Sequence, residues 1–387
     1  MPRLQTASRR SGEQVSFSVG KIAFVAALGH LSNVVPSRGI ELNRCAVMEV
    51  SAGKLTLTAL ADLGVSITLP AETGLMGELP PTAVPVALLH DLARNMGGRE
   101  IEMELGHKGL TLRSGSNVVD VTTVPATPED LEGMRPNFTH GPTPIALNVA
   151  DLKAALDATK YASSNEAFQA VMRGILIEFS PERVRFVASD GYRLATADLE
   201  VSSASTFTAL PITRLLVPAL KVLEGQEHCA VSVRDGWLIA RTASASVSIP
   251  LLDGEYPDYT RIIPAVTGKT VKVNAATLAA SINRVSVMSD KNDNNRIDFE
   301  AVPREGGYGT LRLTAEGDYG RGVDVMDMKP GSELEHMTTG FNARYLLEAL
   351  AACRGDVTLD FAGGPRSPVR LTSEAQGVLA VMVPLRA

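Results

Sequence analysis

The chain has 387 residues, of which 45% are apolar and 21% charged, a composition that belongs to globular proteins and excludes a disordered or collagen-like chain. Its formal net charge of −6 argues on its face against a polyanion partner. No apolar run approaches the roughly 20 residues needed to span a bilayer, and residues 1–14 lack the apolar core of a secretion signal, so a cytoplasmic location is expected.

In chain order the first element is a short strand, Val15-Ser16-Phe17-Ser18, running into an apolar-periodic stretch at 18–33 that reads as a helix. Leu55-Thr56-Leu57-Thr58 alternates with period two and reads as a strand ending at Ala59. A second helix is predicted over 85–97, with Pro85 where its missing N–H costs little, and Val124-Pro125 closes the series. The series then returns. Ile145-Ala146-Leu147-Asn148 precedes a helix at 148–163, Val184-Arg185-Phe186-Val187 runs to Ala188, a helix begins near Pro211 over 211–224, and Ile249-Pro250 closes. A third copy has Val271-Lys272-Val273-Asn274 before a helix at 274–288, Leu311-Arg312-Leu313-Thr314 running to Ala315, a helix at 342–353 and Val383-Pro384. Ser18, Asn148 and Asn274 stand where a side-chain oxygen can take an orphan backbone N–H of each first helix.

The caps are 130 and 126 residues apart, and three markers in register predict three copies of one domain. The expected boundaries are 15–140, 141–266 and 267–387, with a flexible extension at 1–14. Each copy reads as two βαββ-type halves. That is an α+β fold, with two helices packed on antiparallel sheets in each domain. Such long sheets must hide their edges, which domains set edge to edge in a closed ring would do.

Charge is unevenly placed. The six helix windows, with the residue just past the last, hold nine cations (Lys21, Arg94, Lys153, Lys160, Arg214, Lys221, Arg284, Arg344, Arg354) against five acids (Asp91, Asp151, Asp157, Glu224, Glu348). That leaves +4 on the helices and −10 elsewhere. Solvated charges of both signs would give this, and so would a helical layer that faces something anionic.

Catalytic chemistry finds little support. There is no phosphate-cradling Gly-rich loop, no Gly-x-Ser-x-Gly elbow, no His-Glu-x-x-His and no paired-cysteine zinc spacing. No catalytic residue, metal ligand or cofactor is therefore expected. Cys45, Cys229 and Cys353 read as reduced core residues. His228 and Cys229 are adjacent in a strand and so point to opposite faces. Asp290, Asp293 and Asp298, mixed with Lys291 and Arg296, read as a loop.

Three segments are denser than their surroundings. Ser189-Asp190-Gly191-Tyr192-Arg193-Leu194 carries a hairpin turn signal. Asp253-Gly254-Glu255-Tyr256-Pro257-Asp258-Tyr259-Thr260-Arg261 suits a fixed linker. The tail from Val381 to Ala387 is apolar almost to its end and is expected to be docked. These segments, from Ser189, from Leu252 to Tyr259 and from Met382 to Arg386, resemble the signature segments of the bacterial DNA polymerase sliding clamp, the beta subunit of the replicative polymerase. The resemblance covers 15–387, including the threefold repeat.

It implies three clamp domains per chain and a head-to-tail homodimer closed around duplex DNA, near the nucleoid, with helices lining the hole and no chemistry of its own. The cations above, together with Arg38, would then face phosphates without reading bases. The subunit contact would pair Val119 and Val121 with Val287 and Met288. A pocket for short peptide motifs of the replicative polymerase, the clamp loader, and repair and translesion polymerases, ligase or mismatch-repair proteins is implied at Met172, Gly174, Ser189, Gly191, Tyr192, Arg193, Leu194, Pro257, Arg261, Ile262, Asn342, Tyr345, Val383, Pro384, Leu385 and Arg386. Leu194, Ile262, Val383 and Leu385 would offer apolar area, and Arg193 and Arg386 would anchor a peptide carbonyl or carboxylate. The sequence departs from the family at Tyr192, where histidine is common, and at Ala387, where a larger apolar residue is usual. On the residues alone, a repeat-built interaction scaffold and a nucleic-acid enzyme are the alternatives.

Overall fold

The computed structural model describes residues 15–73, 79–106, 109–139, 141, 143–164, 166, 169–203, 205–290, 294–304, 308–330, 332, 336–361, 363–364, 366–373 and 377–385. The first third contains β1 (Val15–Gly20), α1 (Lys21–Ser32), β2 (Cys45–Ser51), β3 (Lys54–Leu60), β4 (Gly64–Pro70) and the two-residue β5 (Glu72–Thr73). It continues with β6 (Leu79–Pro85), α2 (Val86–Asn95), β7 (Glu100–Gly106), β8 (Gly109–Ser114), β9 (Asn117–Val121) and α3 (Pro128–Gly133). The middle third holds β10 (Ile145–Asn148), α4 (Val149–Thr159), β11 (Leu176–Phe179), β12 (Arg183–Ser189), β13 (Arg193–Glu200), β14 (Phe207–Ala209), α5 (Thr213–Leu223), β15 (His228–Arg234), β16 (Trp237–Arg241) and β17 (Ala245–Pro250). The last third holds β18 (Thr270–Asn274), α6 (Ala275–Ser286), β19 (Arg296–Arg304), β20 (Tyr308–Gly317), β21 (Gly320–Met328), β22 (Met337–Asn342), α7 (Ala343–Ala351), β23 (Asp356–Asp360), β24 (Val369–Ser373) and β25 (Val378–Met382).

Each third is therefore two halves, as expected, but each half is a strand, a helix and three strands, one strand more than a βαββ unit. The opening strand of every half pairs with the other half's sheet: β1 with β7, β6 with β2, β10 with β15, β14 with β11, β18 with β23 and β22 with β19. Six four-stranded blocks result, all antiparallel, one of them extended by the short β5, and two joints fuse four of them into eight-stranded sheets. One joint pairs β4 with β17, Val65 opposite Val247; the other pairs β13 with β25, Ala195 opposite Ala380. The remaining blocks are β5-β1-β7-β8-β9 and β21-β20-β19-β22.

Sheets that cross from one third to the next also set how the chain divides. It parts into two compact units, one formed by the chain up to Val149 with Arg214–Pro250, the other by Ala150–Thr213 with Leu251 onward. The middle third contributes to both.

Helix formation follows apolar spacing. In α1, Phe24, Leu28 and Leu31 fall at i, i+4 and i+7 and are fully buried; α2 answers with Val86, Leu89 and Ala93. In α6 and α7 the buried stripes are Leu278, Ile282 and Val285, and Leu346, Ala349 and Leu350. Each buried leucine-sized side chain contributes roughly 1.5–3 kcal/mol. One of the expected caps differs from the structure. Asn274 accepts from Thr277 N–H at 3.2 Å as expected, but α1 is capped by Gly20, with no side-chain bond, because Ser18 is still in β1. The short α3 was not anticipated, although Thr127 and Asp130 form a reciprocal capping box that is legible in the sequence.

Cys45, Cys229 and Cys353 are free and buried. Beside buried Cys229, His228 is exposed. Arg296 and Asp298 lie in β19 rather than in the expected loop and pair at 2.8 Å; Lys291 and Asp293 lie outside the described residues. Among the described residues no helix is long and apolar enough to cross a membrane, and no three metal-ligating side chains converge.

Candidate functional site

The turn between β12 and β13 positions the expected pocket. Asp190 accepts from the backbone N–H groups of Tyr192 at 2.9 Å and Arg193 at 3.0 Å, and Gly191 takes φ +91°, a conformation that favours glycine. Tyr192 is thereby held out into solvent, 66% exposed. The tail runs alongside: β25 pairs with β13, Val383 N–H donates to Tyr192 C=O at 3.0 Å, and Leu385 N–H donates to Gly340 C=O at 2.8 Å. The tail is docked up to Leu385; Arg386 and Ala387 lie outside the described residues.

Arg193 does not project as a peptide anchor. Its side chain is only 8% exposed, pairs with Asp190 at 3.0 Å and also with Glu348, and its guanidinium lies 4.2 Å from the Tyr345 ring centroid and 5.4 Å from that of Tyr161. Glu348 is shared with the exposed Arg344 at 2.9 Å. Burial pushes Glu348 up, but hydrogen bonds from Arg193 and Arg344 outweigh it and hold the carboxyl below its usual range. Burial also raises the phenols of Tyr161 and Tyr345. Arg193 thus fixes the wall of the site from behind.

Leu194 likewise offers no free area. At 2% exposure it packs with Val187, Tyr259 and Val381, because strand alternation turns it to the face opposite Arg193. The exposed apolar area comes from Ile262 at 51% and Val383 at 47%, with Leu385 half-buried and Pro384 buried. Ile262 ends a 3-10 turn, Tyr259–Ile262, that Asp258 caps. Buried Tyr259 donates to Glu178 at 2.6 Å, which makes the linker a fixed one. Pro257 is half-buried; Arg261 is exposed and pairs with Asp258 at 2.8 Å. Ser189 is buried and donates to Arg193 C=O at 2.8 Å. Asn342 caps α7. Gly174 is packed so closely that a Cβ there would stand 2.9 Å from Pro211 C=O.

An open cleft of about 630 Å³ lies on this surface, lined by the expected Met172, Gly191, Tyr192 and Tyr345. Ser164, Glu166, Gln169 and Asp190 line it too. Sequence reading missed these four, and only the Asp190 turn carried a signal.

The cations expected on a DNA face are mostly exposed but engaged. Arg94 pairs with Asp91 at 4.0 Å, Lys160 with Asp157, Arg214 with Asp62 at 2.8 Å and Arg284 with Asp324 at 2.5 Å. Half-buried Lys21 donates to Met96 C=O, and Arg38, Lys153, Lys221 and Arg354 are exposed. Of the residues expected at a subunit contact, Val287 is 81% exposed and Met288 half-buried, whereas Val121 is buried in its own sheet and Val119 half-buried. The valine that β9 exposes is Val118.

The repeat and its sheet joints define the class first, an α+β clamp fold of antiparallel sheets carrying paired helices. A sliding clamp from Bacillus subtilis shares it at TM-score 0.86 and 18% identity, over 97% of this chain and 100% of that one. The DNA polymerase III beta subunit from Thermotoga maritima does so at TM-score 0.82 and 23% identity, over 96% and 100%. Family models for the DNA polymerase III beta subunit match residues 146–258 as its central domain and 260–386 as its C-terminal domain. The beta sliding clamp of Proteus mirabilis is 25% identical over 353 residues, 88% of this chain and 91% of that one. The chain belongs to the bacterial DNA polymerase III beta sliding clamp family, a non-catalytic processivity subunit of DNA replication.

Proposed function

We infer that the chain encircles duplex DNA as a head-to-tail homodimer and tethers partner proteins through the Tyr192 pocket. The observation that carries the ring is the rule of the joints. In both, the last strand of a third's first half meets the last strand of the next third's second half: β4 with β17, then β13 with β25. By the same rule β21 needs a β9, and both strands are sheet edges. A second copy supplies the missing partner at each end, and a heterologous contact that closes after two copies makes a ring. Val323 and Val325 on β21, Val287 and Met288 just after α6, and Val118 and Val119 on β9 are the apolar groups such a contact would cover. The thirds 15–140, 141–266 and 267–387 are its domains, and cytoplasmic, nucleoid-associated action follows from this reading.

The helix cations and Arg38 would meet phosphates without reading sequence. Because most are already paired, each contact is weak, which suits a ring that slides. Ile262, Val383 and Leu385 would receive the apolar anchors of short motifs from the polymerase, the clamp loader and the other DNA-metabolism proteins. Two such anchors, less ordering costs, correspond to roughly micromolar binding.

Loading onto nicked circular DNA tests the ring. Attachment should survive salt that strips ordinary basic-patch binders and should be lost when the circle is linearised. Equal loss from circular and linear DNA at moderate salt would sink the reading. The double variant Val287→Ala, Met288→Ala should sediment as a folded monomer at micromolar concentration; a full dimer would move the contact elsewhere.

A further inference from the structure

The cleft beside Tyr192 has a definite electrostatic sign. Among the described residues eight line it; none of these is cationic, and two are carboxylates. Asp190 is committed: one oxygen serves the backbone N–H groups of Tyr192 and Arg193, the other the Arg193 guanidinium. Arg193 is committed in turn to Asp190, Glu348 and Tyr345. Arg173 is exposed next to Met172 in sequence but does not line the cleft, and Arg344 is tied to Glu348. That leaves Glu166, exposed, with its backbone N–H held by Ser164 Oγ at 3.1 Å. Two phenol rings, Tyr192 and Tyr345, complete the walls.

A carboxylate lining the same partly enclosed space as the exposed Tyr192 ring is the chemistry that recognises an ammonium or guanidinium group. We propose that the cleft takes a lysine or arginine side chain of the partner peptide, flanking the apolar anchors on Ile262, Val383 and Leu385, with Glu166 as the specificity-determining residue. The inference rests on the pocket reading above. Continuity supports it: Val383 N–H bonds Tyr192 C=O at 3.0 Å, so the apolar wall and the polar cleft meet at Tyr192 and one peptide can span both.

The test uses labelled hexapeptides that share two apolar anchors and carry lysine, norleucine or glutamate at each other position in turn. At one position the lysine peptide should bind about three- to tenfold tighter than the norleucine peptide, the scale of one exposed ion pair plus one exposed cation–π contact. Glutamate there should bind more weakly than norleucine, and the lysine advantage should shrink as salt rises. In Glu166→Gln, lysine and norleucine peptides should bind alike. Absence of a lysine preference at every position, or a preference that survives in Glu166→Gln, overturns the proposal. Failure of every peptide to bind the wild type overturns the pocket reading and this inference together.

Discussion

Arginine is used in two opposite ways in this molecule. Arg193 is buried behind the cleft, held by two carboxylates and stacked on two tyrosines. Arg284 on α6 is 61% exposed and held by one acid, Asp324, and Arg214 on α5 is 52% exposed and held by Asp62. The first arrangement fixes a shape, because a desolvated charge with several partners has one acceptable position. The second leaves a charge that can exchange its partner for a phosphate at little cost. If, as proposed, the pocket recognises a motif and the helix surface holds any DNA sequence, the two tasks call for those two solutions respectively.

The contrast is most directly broken by Arg193→Ala. It leaves Asp190 with only its backbone N–H donors and Glu348 with only Arg344, and since Glu348 is 29% exposed the cost should be about 2–4 kcal/mol, towards the low side of the range for broken buried pairs. Urea denaturation should show that loss together with loss of peptide binding. Unchanged stability would mean that Arg193 is as replaceable as the helix cations.

Deleting Pro384 to Ala387 should act on binding alone. It removes the Leu385 bridge to Gly340 and the wall beyond Val383 but leaves β25 intact. Peptide affinity measured by fluorescence titration should fall at least about tenfold, about 1.4 kcal/mol, with the dimer unaffected.

Alkaline pH should unsettle the pocket unit before it touches the helix ion pairs. Burial pushes the Cys353 thiol up to about 11 and also raises Tyr161 and Tyr345. A raised folded pKa gives stability that is complete below the unfolded value and is lost as pH climbs through the folded one. Stability should therefore fall above roughly pH 9, by on the order of 1 kcal/mol for Cys353 by pH 10, with the two phenols adding to the loss at higher pH. Cys353→Ser should flatten that slope in urea midpoints taken across the range.

The smallest effects belong to the surface pairs. Arg284→Gln and Arg214→Gln should each change stability by less than about 0.5 kcal/mol while lowering the salt slope of DNA binding by about one. Hydrogen bonds from Ser281 and then Arg284 hold the Asp324 carboxyl below its usual range. That contribution is present above the ordinary carboxylate pKa and lost as pH falls through the depressed one, so Asp324→Asn should differ from the wild type at neutral pH and match it in acid.

Much of the architecture was legible because it is local. Period-two and 3.6-residue apolar spacing, prolines near helix starts and the recurrence of whole marker sets are carried by neighbouring residues, and they placed the six long helices, the repeat and the docked tail. The turn at Asp190 and Gly191 was readable for the same reason. Even α3 was available, in the capping box at Thr127 and Asp130.

What the sequence could not decide is which groups are spent on the fold. Arg193 and Leu194 read as pocket surface, yet ion pairs to a residue 155 positions away and packing against β25 bury both. Glu166 and Gln169 carried no signal, since they matter only where the turn after β12 meets α7 and the segment before β11. The same holds for the sheets: local pattern determines that a strand forms, but its partner is set by which edges remain unpaired after every neighbour has been satisfied. That choice exists only in the folded chain, where β4 finds β17, β13 finds β25, and β9 and β21 are left as edges.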